Sequence, residues 1–188
     1  MTDKTLDQLL GARLRSLREG QGLSLGDLAD RSGVSKTMIA RVEKAQSSAT
    51  AALLGRLCAG LGVRLSSVIA AADERQEQLS RRHDQPLWQD PETGYLRRQV
   101  SPSGARSGIE VASIELPRGA KVPYQAWAAN AYMQQLLMLA GSLHLRIGNE
   151  SYVLNTGDCI DFDVSRPNVF ENKGRSSARY LVITHKSQ

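Results

Sequence analysis

Apolar residues recur every three or four positions from Leu6 to Ile69, whereas beyond Tyr95 they come in short runs separated by glycine-rich turns. The first stretch predicts helices. Leu6, Leu9, Leu10, Leu14 and Leu17 mark one that ends near Gly20 and Gly22. Ser24 is placed to cap a second, with Asp27 three residues on completing a capping-box pair. Leu25, Leu28 and Ala29 fall on its apolar face, and Gly33 supplies a sharp turn. Ser35 then caps a third helix, in which Ile39 and Val42 are apolar while Lys36, Thr37, Ala40, Arg41 and Lys44 point elsewhere. Thr50 caps a fourth carrying Leu53, Leu54, Leu57 and Leu61, and Leu65, Val68 and Ile69 mark a short fifth. Five helices in this span are expected to share one small core, giving a helical domain over residues 1–70.

Residues 71–94 are expected to form a linker: AADERQEQLSRRHD is charged and poor in apolar positions, and Pro86 and Pro91 follow. From 95 to 188 the pattern predicts strands at Ile109–Leu116, Gln135–Leu139, Ser142–Ile147, Ser151–Leu154, Cys159–Asp163 and Arg179–Thr184. Many short strands at even spacing suggest a closed or double-sheet β-barrel. The fold class is thus α+β in two domains.

Charge sharpens this picture. The chain carries a net +5 over 188 residues. Between residues 11 and 44, seven basic side chains stand against four acidic ones, so most of the surplus lies on and just before the second and third helices. An anionic partner would meet that end first. Apolar runs fall well short of a membrane span, and MTDKTLDQLL lacks the order of a secretory signal, so a cytoplasmic protein with no membrane partner is expected. Cys58 and Cys159 belong to no CxxC or Cys/His cluster and are read as reduced and structural.

Taken together, Leu14-Arg15-x-Leu17-Arg18, Leu23-Ser24-Leu25-x-x-Leu28-Ala29, Gly33-Val34-Ser35-Lys36, Ile39-x-x-Val42-Glu43 and Leu57 to Val63 resemble the helix-turn-helix domain of the phage-repressor-like (XRE) transcription regulators. Ala45 and Ala49 depart from that pattern, standing where Gly and Pro are common. The resemblance implies that the third helix lies in the major groove of double-stranded DNA. Lys36, Thr37 and Arg41 would then face base edges, with Lys44 beside them. Ser24 and Ser35, with the helix ends they cap, suit phosphate contacts. It also implies an ion pair between Arg18 and Glu43 that orients the recognition helix.

Beyond the linker, Gly119, Gly141, Gly157-Asp158-x-Ile160-x-Phe162-Asp163 and Pro167-Asn168-x-Phe170-x-Asn172 resemble the cupin superfamily. Metal-binding cupins carry histidines and a glutamate where this chain has Gln125, Trp127, Gln134 and Asn168. No metal and no other cofactor is therefore expected. The resemblance places a small-molecule site among Tyr124, Gln125, Trp127, Tyr132, Gln134, His144 and Asn168. These residues are equally compatible with the ordinary core and rim of a barrel that only dimerises.

The function implied is that of a non-enzymatic, sequence-specific transcriptional regulator, a homodimer on a pseudo-palindromic operator, responsive to an effector through a metal-free cupin domain. Two alternatives stay open. One is a cupin enzyme with a DNA-binding appendage, which bound iron, zinc or manganese would favour; the other is an antitoxin-like protein, which a co-purifying partner would favour. If the third helix reads DNA, Arg41→Ala lowers specific binding far more than Arg75→Ala.

Overall fold

The structure is a computed structural model, and it describes residues 3–69, 78–102, 105–126 and 132–186. The chain divides into two compact units, Met1–Ala72 and Asp73–Gln188.

The first unit contains helices α1 (Asp3–Gly20), α2 (Leu25–Ser32), α3 (Lys36–Glu43), α4 (Ala51–Leu61) and α5 (Leu65–Ile69). Local chemistry starts each of the middle three. Ser24, Ser35 and Thr50 have extended backbones, and their hydroxyls accept from the N–H of Asp27, Met38 and Leu53. Leu10, Leu14, Leu28, Ile39, Val42, Leu54, Leu57 and Val68 form the shared core. Two glycines let helices approach closely. A β-carbon on Gly11 of α1 would lie 2.5 Å from the Val42 carbonyl oxygen of α3, and one on Gly60 of α4 would lie 2.9 Å from Ser32 Cβ of α2.

The second unit contains β1 (Leu87–Gln89), β2 (Leu96–Gln99), β3 (Ile109–Leu116), β4 (Lys121–Tyr124), β5 (Tyr132–Ala140), β6 (Ser142–Ile147), β7 (Glu150–Asn155), β8 (Cys159–Asp163), β9 (Asn168–Glu171) and β10 (Ala178–Lys186). Strand order is β1-β2-β3-β10-β5-β8 in one sheet and β4-β9-β6-β7 in the other, and the pairings are antiparallel. The sheets meet through side chains. Phe170 of β9 stacks on Tyr180 of β10 at 6.0 Å and tilts against Phe162 of β8 at 6.4 Å. Alternation then buries Ala112, Ile114 and Leu116 of one sheet and Leu143, Leu145 and Ile147 of the other. Asn172, fully buried, donates to the carbonyls of Leu116 and Ser176 and accepts from Gly174 N–H, tying the end of β3 to the β9–β10 turn.

Two sequence expectations need correcting. The all-β region is not a closed barrel: among the described residues it is a pair of open sheets with no hydrogen-bonded strand pairing between them. The range 71–94, expected to be a linker, contains β1, whose Trp88 is buried edge-on against Tyr95 at 6.0 Å. Burial of that indole outweighs the chain-breaking prolines beside it, so folded structure begins before Tyr95. Residues 71–77 of the expected linker lie outside the described residues.

Candidate nucleic-acid interface

The α2–α3 pair is assembled around Arg18. From the last turn of α1, its Nε and Nη2 donate to the two carboxylate oxygens of Glu43 at 2.7 and 2.8 Å, and its Nη1 donates to the Leu23 carbonyl at 2.8 Å. The side chains of both partners are largely shielded, 9% and 6% exposed. Bidentate bonding to Glu43 holds the Arg18 guanidinium above its ordinary pKa, against the opposing effect of desolvation. One side chain thus joins the end of α1, the residue before the α2 cap and the end of α3.

With Ile39 and Val42 of α3 buried, Lys36, Thr37, Arg41 and Lys44 are exposed, as are the caps Ser24 and Ser35. Helical spacing puts Lys36, Thr37, Ala40, Arg41 and Lys44 on a continuous surface. Gly33, with φ 64°, turns the chain between the helices. Lys36 does more than face outward, because a β-carbon on Gly26 would lie 3.0 Å from its Nζ and 3.3 Å from Ser24 Oγ. Its ammonium therefore hangs over the first turn of α2. Asp27 is the acidic group there. Its Oδ2 accepts from Ser24 N–H at 2.8 Å, and bonds from the Ser24 side chain and backbone, with Arg31 and Lys36 nearby, hold its carboxyl below the usual range.

Of the small-molecule candidates in the second unit, Tyr132 and Asn168 are buried, Tyr124 is partly buried with its ring edge-on to Phe170 at 5.8 Å, and Gln134 donates to Thr184 Oγ1 at 3.2 Å. These four belong to the inner side. His144 does not, for it alternates with buried Leu143 and Leu145 and so lies on the outer face of its sheet. Gln125 is exposed beyond β4, and Trp127 lies outside the described residues. Among the described residues no three His, Cys, Asp or Glu side chains converge as a metal site would require. The inner face also holds Tyr95, Arg97 and Gln99, none of which falls in a sequence motif. The available signal was Arg97 and Gln99 at alternate positions of one strand, on the face of β2 that pairs with Ile114 and Ala112.

A bundle that presents a polar, cationic helix face from a capped helix–turn–helix pair belongs to the DNA-reading class. Residues 9–67 match the family described as "Helix-turn-helix domain". The chain is 25% identical over 186 residues, 97% of each sequence, to the HTH-type transcriptional regulator SutR of Escherichia coli K12. Its fold matches the crystal structure of an HTH_3 family transcriptional regulator from Vibrio cholerae over 100% of both chains, with a TM-score of 0.82 at 23% identity. It is also similar to the Cupin_2 domain of an XRE family transcriptional regulator from Enterobacter cloacae. That similarity covers 50% of this chain and 98% of the other, with a TM-score of 0.47 at 16% identity. Residues 9–67 thus form a helix-turn-helix domain, the chain as a whole shares the fold of the Vibrio cholerae regulator, and it is a DNA-binding transcriptional regulator. No helix among the described residues is long and apolar enough to cross a membrane.

Proposed function

We propose that α3 reads the major groove through Thr37 and Arg41, that Lys36 and Ser24 form a phosphate clamp with the first turn of α2, and that Ser35 and Lys44 hold flanking phosphates. The observation that carries this is the exposed row of Lys36, Thr37, Arg41 and Lys44 on a helix whose opposite side is buried and whose end is tied to Arg18. An arginine can donate twice to a guanine edge, and a threonine can meet a polar edge or a thymine methyl. The ammonium at α2 adds to the partial positive charge of that helix end, which suits a phosphate oxygen.

The protein then works in the cytoplasm as a homodimer on a pseudo-palindrome, and the sheet unit, without metal and without catalysis, senses an effector. The donor set supports the metal-free reading, since Gln125, Gln134 and Asn168 offer amides where a transition metal prefers imidazole or thiolate. The test is a binding titration at fixed salt on a duplex selected from random sequence. Arg41→Ala is expected to weaken specific binding by about 1–3 kcal/mol while leaving the affinity for unrelated duplex nearly unchanged. Arg175→Ala, an exposed arginine of the sheet unit, is the control. Equal losses for the two variants would defeat the assignment of α3.

A further inference from the structure

Among the described residues, two buried side-chain polar atoms lack a hydrogen-bond partner, Arg97 Nε and Gln99 Oε1. They lie two residues apart on one face of β2. Arg97 is opposite Ile114 and Gln99 opposite Ala112, and Tyr180 and Val182 of β10 lie next across the sheet, all four buried. The side chains therefore share the inner face. Gln99 is only 4% exposed, so its carbonyl has no ready exchange with bulk water. A guanidinium stays protonated in such a setting. The phenols of Tyr95 and Tyr124 adjoin it, and Glu110 of β3 supplies a negative field. Burial holds the Tyr124 and Tyr180 phenols well above their ordinary pKa, so at neutral pH they are uncharged and do not neutralise the guanidinium.

An unmet donor on a cation beside an unmet acceptor, in the field of a carboxylate, is a costly arrangement for an empty protein interior and a complementary one for a dipolar guest. We infer that the inner face of β2 is a binding site for a small zwitterion, an amino acid or close relative, whose carboxylate accepts from Arg97 and whose ammonium donates to Gln99 Oε1 towards Glu110. This rests on the proposal that the sheet unit is a sensor, and it specifies the chemistry of what is sensed.

The full-length protein, titrated with each of the standard amino acids, with propionate and with ethylamine at matched ionic strength, tests it. An amino acid that fits is expected to raise Tm by about 3–6 °C at ten times its Kd, while the two single-ended probes do so far less. Arg97→Met and Gln99→Leu each remove one orphaned group. Both variants are expected to keep or raise the Tm of the free protein and to lose the ligand-dependent rise, whereas a purely structural role lowers the free Tm. If Arg97→Met fails to fold, Gln99→Leu decides alone. A wild type that responds to none of the amino acids, as when one trapped water satisfies both atoms, overturns the inference, and so does a response retained in the variants. Anisotropy on a selected duplex separates the two readings. Amino-acid binding without a change in DNA affinity leaves the site standing and removes the sensor, whereas a DNA response to a compound that is not a zwitterion does the reverse.

Discussion

Arg18 and Glu43, distant in sequence, share two hydrogen bonds of 2.7 and 2.8 Å in a mostly dry setting at the junction of α1 and α3. Removing one member leaves a buried charge without its counter-ion. Arg18→Met is therefore expected to destabilise the helical unit by about 3–5 kcal/mol, followed by helical circular dichroism in urea. Replacing both residues, as Arg18→Met with Glu43→Leu, should recover most of the loss, because the pair's attraction largely offsets its desolvation. A double variant as unstable as the single one would show that the bond to the Leu23 carbonyl dominates instead.

Lys36 and Gly26 allow phosphate binding to be separated from folding. A methyl at Gly26 meets only the mobile end of Lys36 and the Ser24 hydroxyl, while alanine is the better helix former. Gly26→Ala should fold at least as well as the wild type yet bind all duplexes more weakly. The slope of log affinity against log salt should fall by roughly one unit, reporting one lost phosphate contact.

Ala45, just past the end of α3, takes a conformation that suits glycine. Its φ is 53°, and the bonds Gln46 N–H to Arg41 O at 2.8 Å and Ala45 N–H to Val42 O at 2.9 Å close a Schellman turn. The ends of α1 and α4 close in the same way, but with Gly22 and Gly62 at the left-handed position. Ala45→Gly should therefore stabilise the protein by roughly 0.5–1 kcal/mol, the relief of the left-handed strain less the added freedom of the unfolded chain. A Tm that stays put or falls would mean that the turn holds alanine without strain.

The α2 cap should carry an acid-dependent share of stability. Asp27's carboxyl is depressed, chiefly by its bonds with Ser24. Its contribution is thus present above the unfolded carboxylate pKa of about 3.9 and is lost as the pH falls through the lower folded value. Ser24→Ala should destabilise more at neutral pH than in strong acid, and the Asp27 carboxyl, followed by NMR, should titrate at higher pH in the variant. A gap between variant and wild type that does not change with pH would detach the cap from the carboxylate.

The helical half was legible because its punctuation is local. Ser24, Ser35 and Thr50 announce helices within three residues of themselves, and Leu and Ile spacing supplies the buried side. Long strands such as Ile109–Leu116 and Ser142–Ile147 were equally plain. The strands β1, β2, β4 and β9 escaped because three or four residues such as LRRQ or KVPY carry too little pattern, and their burial is decided by partners far along the chain. The inner-face cluster was hidden for the same reason. Nothing near Arg97 in sequence signals that Tyr124, on another strand, will stand beside it.

Gly11 has a consequence that reaches past packing. With the Val42 carbonyl seated where a side chain would otherwise be, and Arg18 clasping Glu43 one residue further on, α3 is held against α1 by both its backbone and its last side chain. Such a head behaves as a single casting. In the homodimer proposed above, control over operator binding would then come from how far apart two such heads are held, with the shape of each proposed reading surface left unchanged.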